Sequence, residues 1–121
     1  MRLININPMI KIYHNPRCSK SRAALDYLKT KVQDFEVIDY IKTGIGAETI
    51  RQLLQRLNVK PLELVRTQEI YFKQQLKGKN FSDEEWIQII VENPKLLKRP
   101  IIVNNYKAVW ADPAEKTDRL F

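Results

Sequence analysis

The hydrophobic and polar positions of this chain follow two different periods, and the period of each stretch predicts its secondary structure. Residues 9–13 form a short apolar run typical of a buried strand, and residues 35–40 alternate as a second strand does. Between them, residues 19–31 repeat apolar side chains at helical spacing. The inner face of this helix carries Ala24, Leu25 and Leu28. The first third of the chain therefore predicts a β-α-β unit.

Helical spacing dominates the middle of the chain. Residues 47–57 carry four apolar side chains on one helical face, and residues 61–65 predict a further turn. Ser82 and Glu85 form a capping box at the start of a helix that reaches about residue 92. This helix ends before Pro94, because the residue preceding a proline is disfavoured in the α region.

The last segment predicts a hairpin followed by a helix. Residues 101–103 and 108–110 form the two strands, and the Asn-Asn pair at 104–105 tolerates the left-handed geometry of a turn. Asp112 is the predicted N-cap of the final helix, with Pro113 at its first position.

These elements predict an α/β fold in a single domain, residues 1–121. A β-α-β half (9–42) and a β-β-α half (99–121) form one four-stranded mixed sheet, and about residues 47–97 form a helical insertion between the halves. In β-α-β units the strand ends that lead into helix N-termini gather at one sheet edge, where ligands usually bind.

The charge balance leaves several kinds of partner open. Lysine and arginine number 21 against 14 acidic residues, a net charge of +7 that suits a nucleic acid, an acidic protein, a small oxyanion or simply a basic surface. The positive residues are spread out and no RNA-binding motif or zinc finger accompanies them, so nucleic acid is a minor hypothesis. No apolar stretch approaches the ~20 residues of a membrane span, and residues 1–8 do not resemble a secretory signal. A cytoplasmic location is therefore expected.

Cys18, the single cysteine of the chain, lies where the first strand gives way to the first helix. A helix N-terminus and the neighbouring Arg17, Lys20 and Arg22, with His14 as a further candidate, all favour the thiolate and lower the thiol pKa below about 8.5. A buried structural cysteine is the alternative, but the local cations favour a reactive thiol. One cysteine cannot form an internal disulfide, so any redox turnover needs an outside electron donor; a metal site is not expected.

Two arginines outside this loop are candidate oxyanion ligands. Arg99 precedes Pro100 at the start of the hairpin, and Arg66 lies in the helical block. A solvated surface charge is the alternative for each. The planar fork of arginine offers paired N–H donors to a tetrahedral oxyanion, and two such forks facing a thiolate would suit attack on an oxyanion by sulfur.

Three segments of the sequence resemble one known family. Residues 12–22 (IYHNPRCSKSR), residues 93–103 (NPKLLKRPIIV) and residues 64–67 (LVRT) are similar to the active-site loop, the segment leading to the cis-proline, and the arginine of the helical insert in the glutaredoxin-linked arsenate reductases. The resemblance covers nearly the whole chain from residue 9. It implies a thioredoxin-like fold.

The resemblance also implies a reaction and its residues. Cys18 would attack arsenate, glutathione would add as the external reductant, and glutaredoxin would resolve the mixed disulfide; no cofactor is bound. Arg66 and Arg99 would hold the oxyanion. The supporting residues would be His14, Arg17, Ser21, Arg22 and a cis Pro100. For His14, a purely structural hydrogen bond is an equal alternative.

One position departs from the family pattern and leaves other functions open. Asp112 stands where these reductases place a third arginine, and a carboxylate there would repel an oxyanion unless it caps its own helix or is compensated by Lys107 or Arg17. One alternative is a glutathione-dependent thiol reductase with another substrate. The other is a non-enzymatic regulator that binds RNA polymerase, similar to the Spx-type proteins, although Ser21 replaces the second cysteine of their redox switch.

Overall fold

A computed structural model describes residues 9–121 of the chain. The prediction that the N-terminus is not a secretory signal concerns residues 1–8 and lies outside the described residues. Two compact units are present: the first comprises the chain up to Asp39 together with Arg99–Phe121, and the second is Tyr40–Lys98. Each unit is described by itself, and the single-domain interpretation stays a prediction.

The first unit contains a four-stranded mixed sheet in the order β2-β1-β3-β4. β1 pairs in parallel with β2 and antiparallel with β3, which pairs antiparallel with β4. The elements of the first unit are β1 (Ile10–His14), α1 (Ser19–Lys31), β2 (Glu36–Asp39), β3 (Ile101–Asn104), β4 (Lys107–Trp110) and a final 3₁₀ helix (Ala114–Leu120). The predicted α/β fold with a β-α-β half and a second hairpin half is confirmed.

The core of this unit lies where α1 and the final 3₁₀ helix pack against the sheet. Ile12 of β1 and Ile102 of β3 are opposite each other in the ladder, and both are fully buried. Ala24 and Leu28 of α1 are buried in the same cluster, and Leu25 packs against it. The helical spacing of these residues therefore sets the face that α1 presents to the sheet, which places its N-terminus at the end of β1.

The hairpin and final segment differ in detail from the prediction. The strands extend to Asn104 and Lys107, and Asn105 adopts the left-handed conformation (φ 56°) at the turn. The predicted N-cap at Asp112 is wrong, because Pro113 caps the final segment, which is a 3₁₀ helix. The carboxylate of Asp112 instead forms an ion pair, described below.

The second unit consists of helical segments. They are α2 (Tyr40–Thr43), α3 (Ala47–Leu57), 3₁₀ turns at Pro61–Leu64 and Pro94–Leu96, a π-helical turn (Phe72–Leu76) and α4 (Asp83–Glu92). The predicted capping box is confirmed: the Glu85 N–H donates to the Ser82 hydroxyl at 3.1 Å, and the Ser82 N–H donates to the Glu85 carboxylate at 2.9 Å. Among residues 9–121, no helix has the length and apolar character needed to cross a membrane.

Candidate active site

Cys18 is the N-cap residue of α1, held there by a tight turn after β1. The Cys18 N–H donates to the carbonyl of Asn15 at 3.0 Å, and the Arg17 N–H donates to the side-chain oxygen of Asn15 at 3.1 Å. The Cys18 carbonyl accepts the first helical hydrogen bond, from the Arg22 N–H, at 3.0 Å. An N-cap side chain points toward the unpaired N–H groups of the first helical turn. The turn therefore sets the thiol at the positive end of α1.

The surroundings of Cys18 lower the pKa of its thiol. Partial burial opposes this by raising the pKa, but hydrogen bonds from the Ser21 N–H, the Arg99 side chain and the Lys20 N–H together lower it further than burial raises it. The positive charge of Arg99 adds to the effect. A lowered pKa increases the fraction of nucleophilic thiolate at neutral pH.

The side chains of Ser21 and Arg22 stabilise the turn that precedes α1. Ser21 is fully buried, and its hydroxyl accepts a hydrogen bond from the Asn15 N–H at 3.3 Å. The Arg22 guanidinium donates to the carbonyl of Pro16 at 3.0 Å. Both hydrogen bonds tie the first turn of α1 back to the preceding turn, which keeps the thiol in place.

Arg99 is positioned by the backbone of the hairpin. Its carbonyl accepts a hydrogen bond from the Trp110 indole N–H at 3.2 Å, and the next carbonyl, of Pro100, accepts from the Ala111 N–H at 2.9 Å. The peptide bond between Arg99 and Pro100 is cis, as the resemblance implied. The structure thus brings Cys18 and Arg99 together although they are distant in the sequence.

His14 lies at the carboxyl end of β1 and is 5% exposed. Burial lowers the pKa of its imidazole below the usual 6.5, although the carboxylate of Asp39 and a hydrogen bond with the backbone of Ser21 act in the opposite direction. Its Nδ1 atom has no hydrogen-bond partner among the described residues. The lowered pKa of His14 favours its neutral form, and its predicted supporting role stays a prediction.

Arg66 lies in the second unit, after the 3₁₀ turn at Pro61–Leu64. Its backbone N–H donates to the carbonyl of Leu96 at 2.7 Å, beside a β-bridge between Val65 and Leu97. Its Nε donates to Oε2 of Glu69 at 3.2 Å, and its Nη2 lies 3.2 Å from the same oxygen. This ion pair orients the Arg66 side chain, and the role of Arg66 in holding an oxyanion stays a prediction.

Asp112 forms an ion pair that sequence reasoning did not identify. One of its carboxylate oxygens lies 2.9 Å from Nζ of Lys20, the second residue of α1. The compensating cation is thus Lys20, where the sequence had suggested Lys107 or Arg17. No local pattern could have indicated this pairing, because the two residues lie near opposite ends of the chain and meet only when the last strand packs beside α1.

Metal ligands do not gather around this thiol. Within residues 9–121, no three side chains of histidine, cysteine, aspartate or glutamate form a group suited to hold a metal ion. Cys18 is a free, half-buried thiol. The chemistry that this arrangement supports is nucleophilic attack by sulfur, with Arg99 beside the reacting atom.

The mixed four-stranded sheet, with a cysteine capping the helix after its first strand, is a thioredoxin-like α/β fold, and the sequence places this chain within one family. The sequence pattern of the ArsC family matches residues 13–120, so the chain belongs to the ArsC family. This match includes the Cys18 loop and Arg99.

Individual relatives agree with this assignment. The chain is 45% identical over 109 residues to the uncharacterized protein YfgD of Escherichia coli strain K12, covering 88% of this chain and 92% of that protein. It is 34% identical over 113 residues to an arsenate reductase of Neisseria meningitidis serogroup A, covering 92% and 97%. The solved structure of an arsenate reductase from Vibrio cholerae matches with a TM-score of 0.88 at 34% identity, covering 95% of this chain and all of that one.

Proposed function

We propose that this protein is a thiol-dependent oxidoreductase that reduces arsenate with glutathione and glutaredoxin. The Cys18 thiolate attacks the arsenic atom, and one arsenate oxygen leaves as water. The glutathione thiolate then attacks the Cys18 sulfur, so that the S–As bond breaks, its electron pair leaves with arsenic as arsenite, and a Cys18–glutathione disulfide forms. Glutaredoxin reduces this mixed disulfide and returns the Cys18 thiol. Arg99 and Arg66 hold the oxyanion. The proposed location is the cytoplasm, where glutathione keeps thiols reduced.

One observation carries this proposal: Cys18 is the N-cap residue of α1, where the first-turn N–H groups of Ser21 and Lys20 and the Arg99 side chain lower the pKa of its thiol. In the proposed reaction, the same donors face the negative charge of the attacked oxyanion. A guanidinium in that position stabilises negative charge as it develops on the substrate oxygens. The names of the Neisseria and Vibrio relatives support arsenate as the substrate.

The direct test measures arsenite formed from arsenate by the purified protein with glutathione and glutaredoxin. We expect turnover by the wild type, none by Cys18→Ser, and at least about tenfold less by Arg99→Lys, because lysine lacks the fork that binds two oxygens. Arg119→Lys, on the final exposed turn, is the matched control and should retain wild-type turnover. Absence of arsenite from the wild type, with Cys18 still reactive toward alkylating reagents, would reject arsenate as the substrate.

A second candidate is a glutathione-dependent thiol reductase that acts on a disulfide. The ion pair of Lys20 and Asp112 favours it, because Asp112 neutralises a cation on the first turn of α1 that would otherwise attract a doubly charged oxyanion more than a neutral sulfur electrophile. The same purified protein tests this candidate: it predicts reduction of a glutathione mixed disulfide in the absence of any arsenate turnover.

A further inference from the structure

A pair of opposite charges lies at the rim of the Cys18 site without taking part in the proposed chemistry. Lys20 is the second residue of α1, and its backbone N–H is one of the groups that lower the pKa of the Cys18 thiol. The Lys20 side chain turns to Asp112, at a distance of 2.9 Å. The Asp112 side chain is 22% exposed and the Lys20 side chain 61%, so the pair borders the solvent from which a substrate arrives.

Asp112 cancels a cation that would otherwise attract negatively charged substrates. Arg99 lowers the pKa of the thiol, the Arg22 guanidinium donates to the Pro16 carbonyl, Arg17 is exposed, and the Lys20 side chain pairs with Asp112. Neither side chain of the pair is needed to stabilise the thiolate, because the backbone N–H groups of Ser21 and Lys20 and the Arg99 side chain already do so. The carboxylate therefore changes the local field more than it changes the thiol's position.

We propose that the ion pair of Lys20 and Asp112 determines the charge selectivity of Cys18. With the pair intact, the site favours anionic electrophiles over neutral ones less than it would with the Lys20 charge unpaired. This inference rests on the proposed function only in using Cys18 as the nucleophile; it applies equally to an oxyanion and to a disulfide. Asp112 acts here through its charge and touches no reacting atom.

The size of the effect follows from Coulomb's law. A unit charge at the surface that interacts with the reacting atom by about as much as an exposed ion pair changes the rate for a singly charged reagent by roughly two- to tenfold. Added salt reduces the change, because the pair lies at the surface.

The experiment compares two reagents that differ in charge and share one reaction. Iodoacetate is an anion and iodoacetamide is neutral, and both alkylate the same thiolate of the single cysteine. Their second-order rate constants are measured at one pH and low ionic strength. The ratio of the two rate constants is independent of the thiolate fraction, so a changed thiol pKa cancels and only charge selectivity remains.

We expect Asp112→Asn to raise the iodoacetate to iodoacetamide ratio roughly two- to tenfold, because it leaves the Lys20 charge unpaired. Lys20→Met keeps the backbone N–H and should lower the ratio. The double variant, which removes both charges, should return close to the wild-type ratio. In 1 M salt, all four proteins should converge.

The matched control lies at the other end of the same helix. Asp118 pairs with Lys31 at 3.2 Å, about 16 Å along α1 from Lys20. Asp118→Asn also removes an α1 ion pair, and it should leave the ratio unchanged. A wild-type ratio in folded Asp112→Asn, or a shift of equal size in Asp118→Asn, overturns the inference.

The alkylation experiment and the arsenate assay can succeed or fail independently of each other. If the ratio shifts as expected while no variant reduces arsenate, the charge selectivity stands and the arsenate proposal fails. If the wild type reduces arsenate but the iodoacetate to iodoacetamide ratio is unchanged in Asp112→Asn, the arsenate proposal stands and the charge-selectivity inference fails.

Discussion

Individual residues determine the reactivity of this protein, and they do so differently from what local composition indicates. The sequence predicted a thiolate stabilised by the N-terminus of the first helix and by the cations next to Cys18. In the structure, the stabilising groups are two backbone N–H groups of α1 and the side chain of Arg99. The Arg22 guanidinium serves the loop backbone instead. A positive neighbour in sequence is therefore not equivalent to a hydrogen-bond donor at the sulfur.

This difference predicts which arginine controls the thiol pKa. Replacing Arg99 with glutamine removes a charge-assisted donor, so the thiol pKa should rise and alkylation by iodoacetamide at pH 7 should slow about three- to tenfold. The measurement is the alkylation rate against pH, which reports Cys18 alone because the chain has one cysteine.

Arg17→Gln is the control for that experiment. Arg17 is adjacent to Cys18 in sequence, and its side chain is exposed. Its removal should change the rate by less than about twofold, as expected for a screened surface charge. Equal slowing in both variants would show that general positive charge, and not the Arg99 hydrogen bond, sets the thiol pKa.

At the scale of elements, prediction succeeded where the determinants are local. The limits of α1 and α3 agree with the sequence pattern, and α4 begins at its predicted capping box. A cap depends on residues three positions apart, so the sequence contains all of it. The N-cap prediction for Asp112 was wrong because its determinant is not local: its carboxylate pairs with Lys20 of α1, which is distant in the sequence.

The capping box gives a prediction at this scale. Ser82→Ala removes the acceptor for the Glu85 N–H and should lower the free energy of unfolding by about 1 kcal/mol. Urea denaturation followed by circular dichroism measures the loss. Ser82→Thr retains a hydroxyl acceptor and should recover most of the stability; an equal loss in both variants would mean that the cap contributes little.

At the scale of the whole molecule, several carboxylates make stability depend on pH. Hydrogen bonds hold three carboxyl pKa values below their usual range: the Arg51 guanidinium acts on Glu84, the Ser82 backbone N–H on Glu85, and the Tyr27 hydroxyl on Asp118. The unfolded chain lacks these partners and binds protons at a higher pH. The stabilisation is therefore fully present above the unfolded pKa values, near 4, and is lost as the pH falls through the lower, folded values.

We accordingly expect the urea midpoint to fall between pH 5 and pH 3. Asp118 contributes through its link between the end of α1 and the final 3₁₀ helix, where Tyr27 donates to its carboxylate at 2.8 and 2.9 Å. Asp118→Asn should reduce the pH dependence, while Asp34→Asn, in the turn before β2, should leave it as in the wild type. Identical pH profiles for wild type and Asp118→Asn would contradict the assignment.

The sequence by itself determined the order of elements, the capping box and the presence of a single cysteine that cannot form an internal disulfide, because each depends on residues close together or on composition. Only the tertiary structure decided which groups touch the thiol. Arg99 reaches Cys18 through the pairing of β3 with β1, and Asp112 reaches Lys20 because the end of the last strand lies beside α1. Hydrogen bonds and ion pairs act over a few ångströms, and the fold sets those distances between residues that the sequence keeps far apart.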